Sequence, residues 1–237
     1  MKITIGPSTG WLYASGISQL NLHKQIINGT SSDAIEIHLR HNENVEEDLL
    51  NNNLSEYSHR SLHLPKVSAN TTDELIEITK KLHNKHNYNY ILLHPDTIEN
   101  DEDWIKLQES GLPIAIENMD KRKKSGIKID ELKEIIEKYD FDLVFDLQHA
   151  YEQDKSMKYA EELFDTFKSK IVYLHVSGES IEGNHTLVKD SENQMEIVDF
   201  LKKIFTEINV PIILEGEYQG KDDLKEEVDF IKSELTH

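Results

Sequence analysis

The 237-residue sequence contains no cysteine. Disulfides and thiolate-bound metals are thereby excluded, so any metal must be held by imidazole nitrogen and carboxylate oxygen. Long apolar runs are also missing, and none approaches the ~18 residues that would read as a membrane span. The opening stretch MKITIGPSTG enters a strand-like pattern at once, without the apolar segment of a secretory leader. A cytoplasmic protein with no membrane partner is therefore expected. Proline and glycine are sparse, at 5 and 10 residues, and nowhere gather into a linker or low-complexity tract. One domain spanning residues 1–237 is the expectation. Positive charge is the scarcer sign: 26 Lys and Arg face 45 Asp and Glu, a formal net charge of −19. That balance argues against nucleic acid as a partner, although a local groove remains compatible with it. The segment from Gly6 to Gly16 lacks G-x-G-x-x-G spacing, so no nucleotide cofactor is expected.

What is present is alternation. Short apolar runs bounded by turn residues alternate with amphipathic stretches, the pattern of βαβ units. Eight strand cores can be read: Lys2–Gly6, Ala34–Leu39, Ser61–Pro65, Tyr90–Pro95, Pro113–Asn118, Asp142–Leu147, Lys170–Ser177 and Pro211–Glu217. They recur about every 25 to 35 residues, the length of a strand plus a crossover helix. Between them, Asp73–His86 places Leu75, Ile78, Thr79 and Leu82 on one helical face. Ile129–Lys138 does the same for Leu132, Ile135 and Ile136, with Asp130 expected as its N-cap. Asn193–Ile208 and Lys221–Leu235 also pattern as helices. Eight such alternations predict a single (β/α)₈ TIM barrel rather than an open doubly wound sheet.

Metal-ligand residue types recur at the C-terminal ends of the apolar runs. His63 closes the third run (SLHLP), His94 the fourth (ILLHPD) and Glu117 the fifth (IAIEN). Asp146 closes the sixth (LVFDLQHA), His175 the seventh (IVYLHVSG) and Glu215 the eighth (IILEGE). His149 follows Asp146 by three residues, and His185 stands in the loop after the seventh run (EGNHTLV). A lone histidine near a strand end is more often a hydrogen-bonded structural residue than a ligand. A carboxylate inside an apolar strand is harder to dismiss, because an unpaired buried charge is costly and is normally paired, protonated or metal-bound. Six consecutive strands each delivering one such residue at the same end point to an active site, since barrel enzymes draw catalytic groups from strand ends. The donor set suits Zn²⁺, Mn²⁺, Co²⁺ or Fe²⁺. Ligation requires neutral imidazole, so binding should weaken at low pH.

The series His, His-Pro, Glu-Asn, Asp-x-x-His, His and Glu at successive strand ends resembles the xylose-isomerase-like TIM-barrel superfamily. That group includes sugar isomerases and epimerases and the endonuclease IV family. The resemblance covers nearly the whole chain and is more specific for superfamily than for substrate. In the isomerase and epimerase branch, positions matching Glu117, Asp146, His175 and Glu215 hold the divalent metal. Glu117 and Glu215 also act as the acid/base pair, and His149 contacts a substrate oxygen. The implied activity is proton transfer next to the carbonyl of a sugar or sugar phosphate, through a metal-stabilised enediolate.

The endonuclease IV branch implies instead a multi-zinc phosphoester hydrolase acting on abasic-site DNA or a small phosphoester. There, positions matching His63, His94 and Glu117 hold one zinc, and Glu117, Asp146, His175 and Glu215 hold a second. A third zinc needs His149, His185 and an aspartate two residues before His185, where this sequence has Gly183. Glu179 and Glu182 are the available substitutes. Lys66 replaces the aromatic residue that this branch has shortly after the position of His63. In a mononuclear isomerase His63, His94 and His185 would bind substrate. If both His63 and His94 ligate, the centre is dinuclear.

Other residues carry weaker signals. Glu36 and His38 alternate on the second strand and share a face, a spacing that favours a packed, hydrogen-bonded pair over a substrate contact. His59, His83, His86 and His237 read as surface residues. The basic run Lys121, Arg122, Lys123 and Lys124 reads first as a solvated loop and second as a phosphate-binding lid, with Lys121 and Arg122 its phosphate ligands. Gly178 and Gly183 would let the loop after the seventh strand close over substrate, and Trp11 and Tyr13 would wall the cavity. Association into a homo-oligomer is compatible with all of this.

Overall fold

The computed structural model describes residues 2–14, 16, 19–39, 45–65, 72–181 and 183–236. Eight strands pair in parallel: β1 (Ile5–Pro7), β2 (Ala34–His38), β3 (His59–His63), β4 (Tyr90–Leu93), β5 (Ile114–Glu117), β6 (Asp142–Asp146), β7 (Ile171–Val176) and β10 (Ile212–Leu214). Their neighbours run β2-β3-β4-β5-β6-β7-β10-β1. An antiparallel hairpin, β8 (Gly178–Ser180) and β9 (Gly183–Thr186), follows β7 and was not legible as strand. The helices are α1 (Gly10–Ala14), α2 (Leu20–Ile27), α3 (Val45–Asn51), α4 (Thr72–His86), α5 (Asp101–Glu109), α6 (Ile129–Tyr139), α7 (Leu147–Gln153), α8 (Lys158–Phe167), α9 (Gln194–Glu207) and α10 (Lys221–Thr236). This is the (β/α)₈ barrel that the alternation predicts.

The ring closes between β1 and β2 through a parallel bridge of Ser8 and Glu36. Thr9 N donates to Glu36 O (2.9 Å) and Asp33 N to Ile5 O (2.9 Å). The two strands approach so closely that a Cβ at Gly6 would lie 1.7 Å from Ala34 O. Only glycine fits there.

Period two along each strand separates two faces. Ile35, Ile37, Leu62, Ile116, Phe145 and Leu174 join the large core shared with the helices. Ala34, Leu92, Ala115, Val144, Tyr173 and Ile213 form a separate, fully buried cluster drawn from the alternate positions. Two residues beyond these six stand Glu36, Glu117, Asp146 and His175, on the same strands, and His94 and Glu215, each one residue past the end of its strand. Alternation turns these side chains to the same inner side, one layer nearer the C-terminal mouth.

Some local expectations change. β3 begins at His59, and His59 is buried beside Tyr90 and Tyr173 instead of lying at the surface. The alternation that takes His63 and Ser61 inward takes His59 with them. His86 is likewise buried, because it extends the apolar face of α4 one turn beyond Leu82, and its Nε2–H donates to Leu49 O (2.9 Å). His83 is half-buried. Lys128, not Asp130, occupies the N-cap position of α6. Asp130 sits in the first turn, where its charge complements the helix dipole. His41, Lys66, Glu182, His237 and the side chain of Tyr13 lie outside what is described. Among the described residues no helix is long and apolar enough to cross a membrane.

Candidate metal centre

At the barrel mouth, three groups of side chains present ligand atoms within 4.8 Å of one another: Glu117, Asp146, His175 and Glu215; His63, His94 and Glu117; and Glu36, His38 and Glu215. The first two meet at Glu117, whose Oε1 lies 2.7 Å from His175 Nδ1 and whose Oε2 lies 3.0 Å from His94 Nε2. His63 Nε2 is 3.0 Å from His94 Nε2. Glu215 joins the first and third groups, with Oε2 3.4 Å from His175 Nδ1 and Oε1 3.9 Å from His38 Nε2. Glu36 and His38 therefore do more than pack against each other, which their spacing alone did not reveal.

The donors are oriented by backbone. Nδ1–H of His63 donates to Leu64 O (3.1 Å), and burial keeps that imidazole neutral, which leaves its Nε2 with a lone pair. Nδ1–H of His149 donates to Asn118 O (2.9 Å), and although burial opposes charge there, Asp146, Glu117 and Glu215 raise its pKa. Asp146 Oδ1 accepts from His149 N (2.7 Å) and so caps α7, while its buried Oδ2 accepts no hydrogen bond. A buried carboxylate oxygen that accepts no hydrogen bond, and whose ion-pair contact is His149 Nδ1 at 3.4 Å, is an unusual feature of a folded interior. It fits a cation shared with Glu117, His175 and Glu215, and the all-oxygen and imidazole donor set fits a divalent transition metal.

The charges form one interacting set. Burial pushes the Asp146 carboxyl up to about 7, and Glu117 and Glu215 add to the rise. Burial also opposes charge on Glu117, but His175 and His94 outweigh it and hold the carboxyl well below the usual range. The same opposition is overcome at Glu36 by His175 and His38. At Glu215 burial is overcome by His175 and His38, leaving a value of about 2. His175, despite burial, is raised well above the ordinary imidazole range by Glu215, Glu36 and Glu117. His38 rises to about 8 against its burial through Glu215 and Glu36. Burial, with His38 and His94 alongside, drives His63 down to about 3. His175 thus holds a proton among three carboxylates, the position from which a bound cation would displace it.

These groups open on a cavity of about 930 Å³, lined by His38, His63, His94, Glu117, His149, His185 and Glu215, by Trp11, Leu39, Leu64, Pro65 and Met119, and by Arg122 and Lys123. Lys121 is exposed and does not line it, so in the basic run Lys123 takes the place expected for Lys121. Arg122 is anchored by Asp120, its Nε donating to Oδ1 at 2.7 Å. Trp11 Nε1 donates to Tyr218 O (2.6 Å), which fixes the indole as a cavity wall. His185 adopts the left-handed conformation, φ 64°, uncommon for a side chain of this size. Its Nδ1 lies 3.1 Å from Ser177 Oγ, and its ring stands edge-on to His149 at 5.8 Å. Glu179, a candidate substitute in a third metal site, accepts from Lys155 Nζ (2.6 Å) and Gln148 Nε2 (3.3 Å) instead. Among the described residues no carboxylate joins His149 and His185 into a ligand group.

A parallel barrel with imidazoles and carboxylates layered at its C-terminal mouth defines a TIM-barrel protein whose side chains could hold a divalent metal. The family model described as xylose isomerase-like TIM barrel matches residues 103–234, more than half of the chain, and the chain belongs to that family. The superfamily includes isomerases, epimerases and endonuclease IV-like enzymes. Among solved structures, a xylose isomerase domain-containing protein of Salmonella typhimurium LT2 matches with a TM-score of 0.72 and 14% identity over 100% of both chains. SacUVDE matches with a TM-score of 0.58 and 15% identity, over 98% of this chain and 99% of its own. A DUF72 family protein of Thermotoga maritima MSB8 matches with a TM-score of 0.54 and 12% identity over 100% of both chains. At such identities the likeness shows the fold alone. No curated protein matches the sequence.

Proposed function

We propose that the chain is a divalent-metal-dependent isomerase or epimerase of a sugar or sugar phosphate. The observation that carries this reading is the four-ligand group of Glu117, Asp146, His175 and Glu215, set in a cavity that both glutamates line. A divalent ion held by the four would polarise a substrate carbonyl oxygen. One of Glu117 and Glu215, both ionised at the start, would take the proton from the adjacent carbon and, now an acid, return it to the neighbouring carbon; delivery to the opposite face requires the other carboxyl to hold a proton first. The substrate is rearranged with no atom gained or lost. His149, fixed through Nδ1–H, offers Nε2 to a substrate oxygen. Arg122 and Lys123 receive the anionic end of a sugar phosphate.

A second reading, a multi-zinc phosphoester hydrolase, is favoured by one observation: His63 and His94 join Glu117 in a second ligand group. The chemistry supplied there would be activation of a water for attack on phosphorus. Metal analysis of the purified, reconstituted protein separates the two, beside assays on ketoses, their phosphates and an abasic-site duplex. One ion per chain with turnover of a sugar supports the first reading. Two or three ions with phosphoester cleavage overturn it in favour of the second, and a protein that takes up no metal overturns both.

A further inference from the structure

We propose that Glu36 is the positioning residue of this centre: its Oε2 holds Nε2–H of His175, so that Nδ1 is the nitrogen turned to Glu117 and Glu215. The inference rests on the metal-dependent reading above and deepens it, since it names which atom of His175 ligates and what keeps it there.

The geometry is specific. His175 Nε2 lies 3.1 Å from Glu36 Oε2, while Nδ1 lies 2.7 Å from Glu117 Oε1 and 3.4 Å from Glu215 Oε2. Both side chains are fully buried. Oε2 of Glu36 also accepts from Ser61 Oγ (3.0 Å) and Tyr173 OH (2.8 Å), so three donors converge on one oxygen. Such an oxygen cannot swing, and the imidazole it holds cannot flip. The partners come from the strand pattern: Ser61 is paired with Glu36 across β2 and β3, and Tyr173 stands two residues before His175 on the same inner side of β7. A carboxylate behind a ligating imidazole fixes the tautomer and makes the opposite nitrogen a stronger donor. The remaining oxygen, Oε1, faces His38 Nε2 at 3.6 Å, and through His38 the arrangement reaches the cavity lining. Glu36 itself lies beneath that lining, fully buried, where it serves its neighbours and not the substrate.

The test uses zinc alone, on the full chain, with affinity read by competition against a chromophoric chelator. Wild type, Glu36→Gln, Tyr173→Phe and Glu117→Gln are compared, and ¹⁵N-imidazole spectra of the zinc-loaded protein identify the metallated nitrogen of His175. Glu36→Gln is expected to weaken zinc about ten- to a hundred-fold, as removal of such a partner does. In wild type, His175 should show a metallated Nδ1 and a protonated Nε2 whose resonance moves in Glu36→Gln. Tyr173→Phe leaves the carboxylate in place, and it should move the same resonance in the same direction with a smaller loss of affinity. That variant decides the matter where Glu36→Gln does not fold. A metallated Nε2, an unmoved resonance, or unchanged zinc affinity in these variants overturns the proposal. Loss of one whole zinc equivalent in Glu36→Gln with the His175 resonance unmoved would make Glu36 a ligand in its own right and also overturns it. Failure of wild type to bind zinc sinks the metal-dependent reading itself. Zinc binding that is lost in Glu117→Gln and kept in Glu36→Gln sinks only the positioning role.

Discussion

Asn118 and Asp146 exchange two hydrogen bonds across the ends of β5 and β6: Asn118 Nδ2 donates to Asp146 O (2.9 Å), and Asp146 N donates to Asn118 Oδ1 (2.8 Å). Asn118 is fully buried, and its own carbonyl accepts from His149 Nδ1–H. Asn118 thus fixes the backbone of a candidate ligand through its side-chain amide and orients the neighbouring imidazole through its main-chain carbonyl. Asn118→Ala leaves the Asp146 N–H without its partner in the interior, which should cost about 2 kcal/mol. Denaturant unfolding reads that loss, and zinc titration should show weaker binding in the same variant. A variant as stable and as tight-binding as wild type would contradict the clamp.

Glu117 and Glu215 are each shared between ligand groups and line the cavity. Glu117→Gln and Glu215→Gln should lower turnover of the preferred substrate at least about a hundredfold, the scale of a lost acid or base. Retained turnover in both variants would remove them from the chemistry.

Metal uptake should release protons. His175 is raised well above the ordinary imidazole range by the three carboxylates around it, so the metal-free protein carries its proton at neutral pH. Zinc has to displace that proton, and affinity should fall steadily as pH is lowered. Titration in weak buffer with a pH electrode checks this; zinc binding without acidification would count against His175 as a ligand.

Gly6 faces the carbonyl of Ala34 where the barrel closes. Gly6→Ala would force β1 and β2 apart, at a cost of about 3 kcal/mol or more. A thermal melt within a degree or two of wild type would show that the seam can open cheaply.

Glu227 of α10 ties down the segment after β9, with Oε1 accepting from Val188 N (2.6 Å) and Oε2 from Lys189 N (3.1 Å). Burial pushes its carboxyl up from 4.5 to about 7, although these N–H groups pull the other way. The folded state therefore binds the proton more firmly than the unfolded chain, and Glu227 costs stability as pH rises from about 4.5 to about 7. Glu227→Gln removes that dependence. The stability of the variant relative to wild type should improve across this window, whatever its value at the acidic end. Parallel melts at pH 4.5 and pH 8 test the sign.

The sequence alone determined the eightfold alternation and the positions of Glu117, Asp146, His175 and Glu215, because a period of two in an apolar strand dictates which side chains share its inner face. Its lack of cysteine restricted any metal to imidazole and carboxylate donors. Tertiary structure decided what no local pattern encodes. Glu36 and His38 join the centre only because β2 closes against β1 and faces β7 across the barrel, and Lys123 replaces Lys121 at the cavity through the path of one loop. The face on which His59 and His86 stand follows from the period of β3 and α4, but what covers them, Tyr90 and Tyr173 for His59 and the Leu49 carbonyl for His86, lies far away along the chain. Covalent order sets which way a side chain points, and the closed ring of strands sets whom it meets.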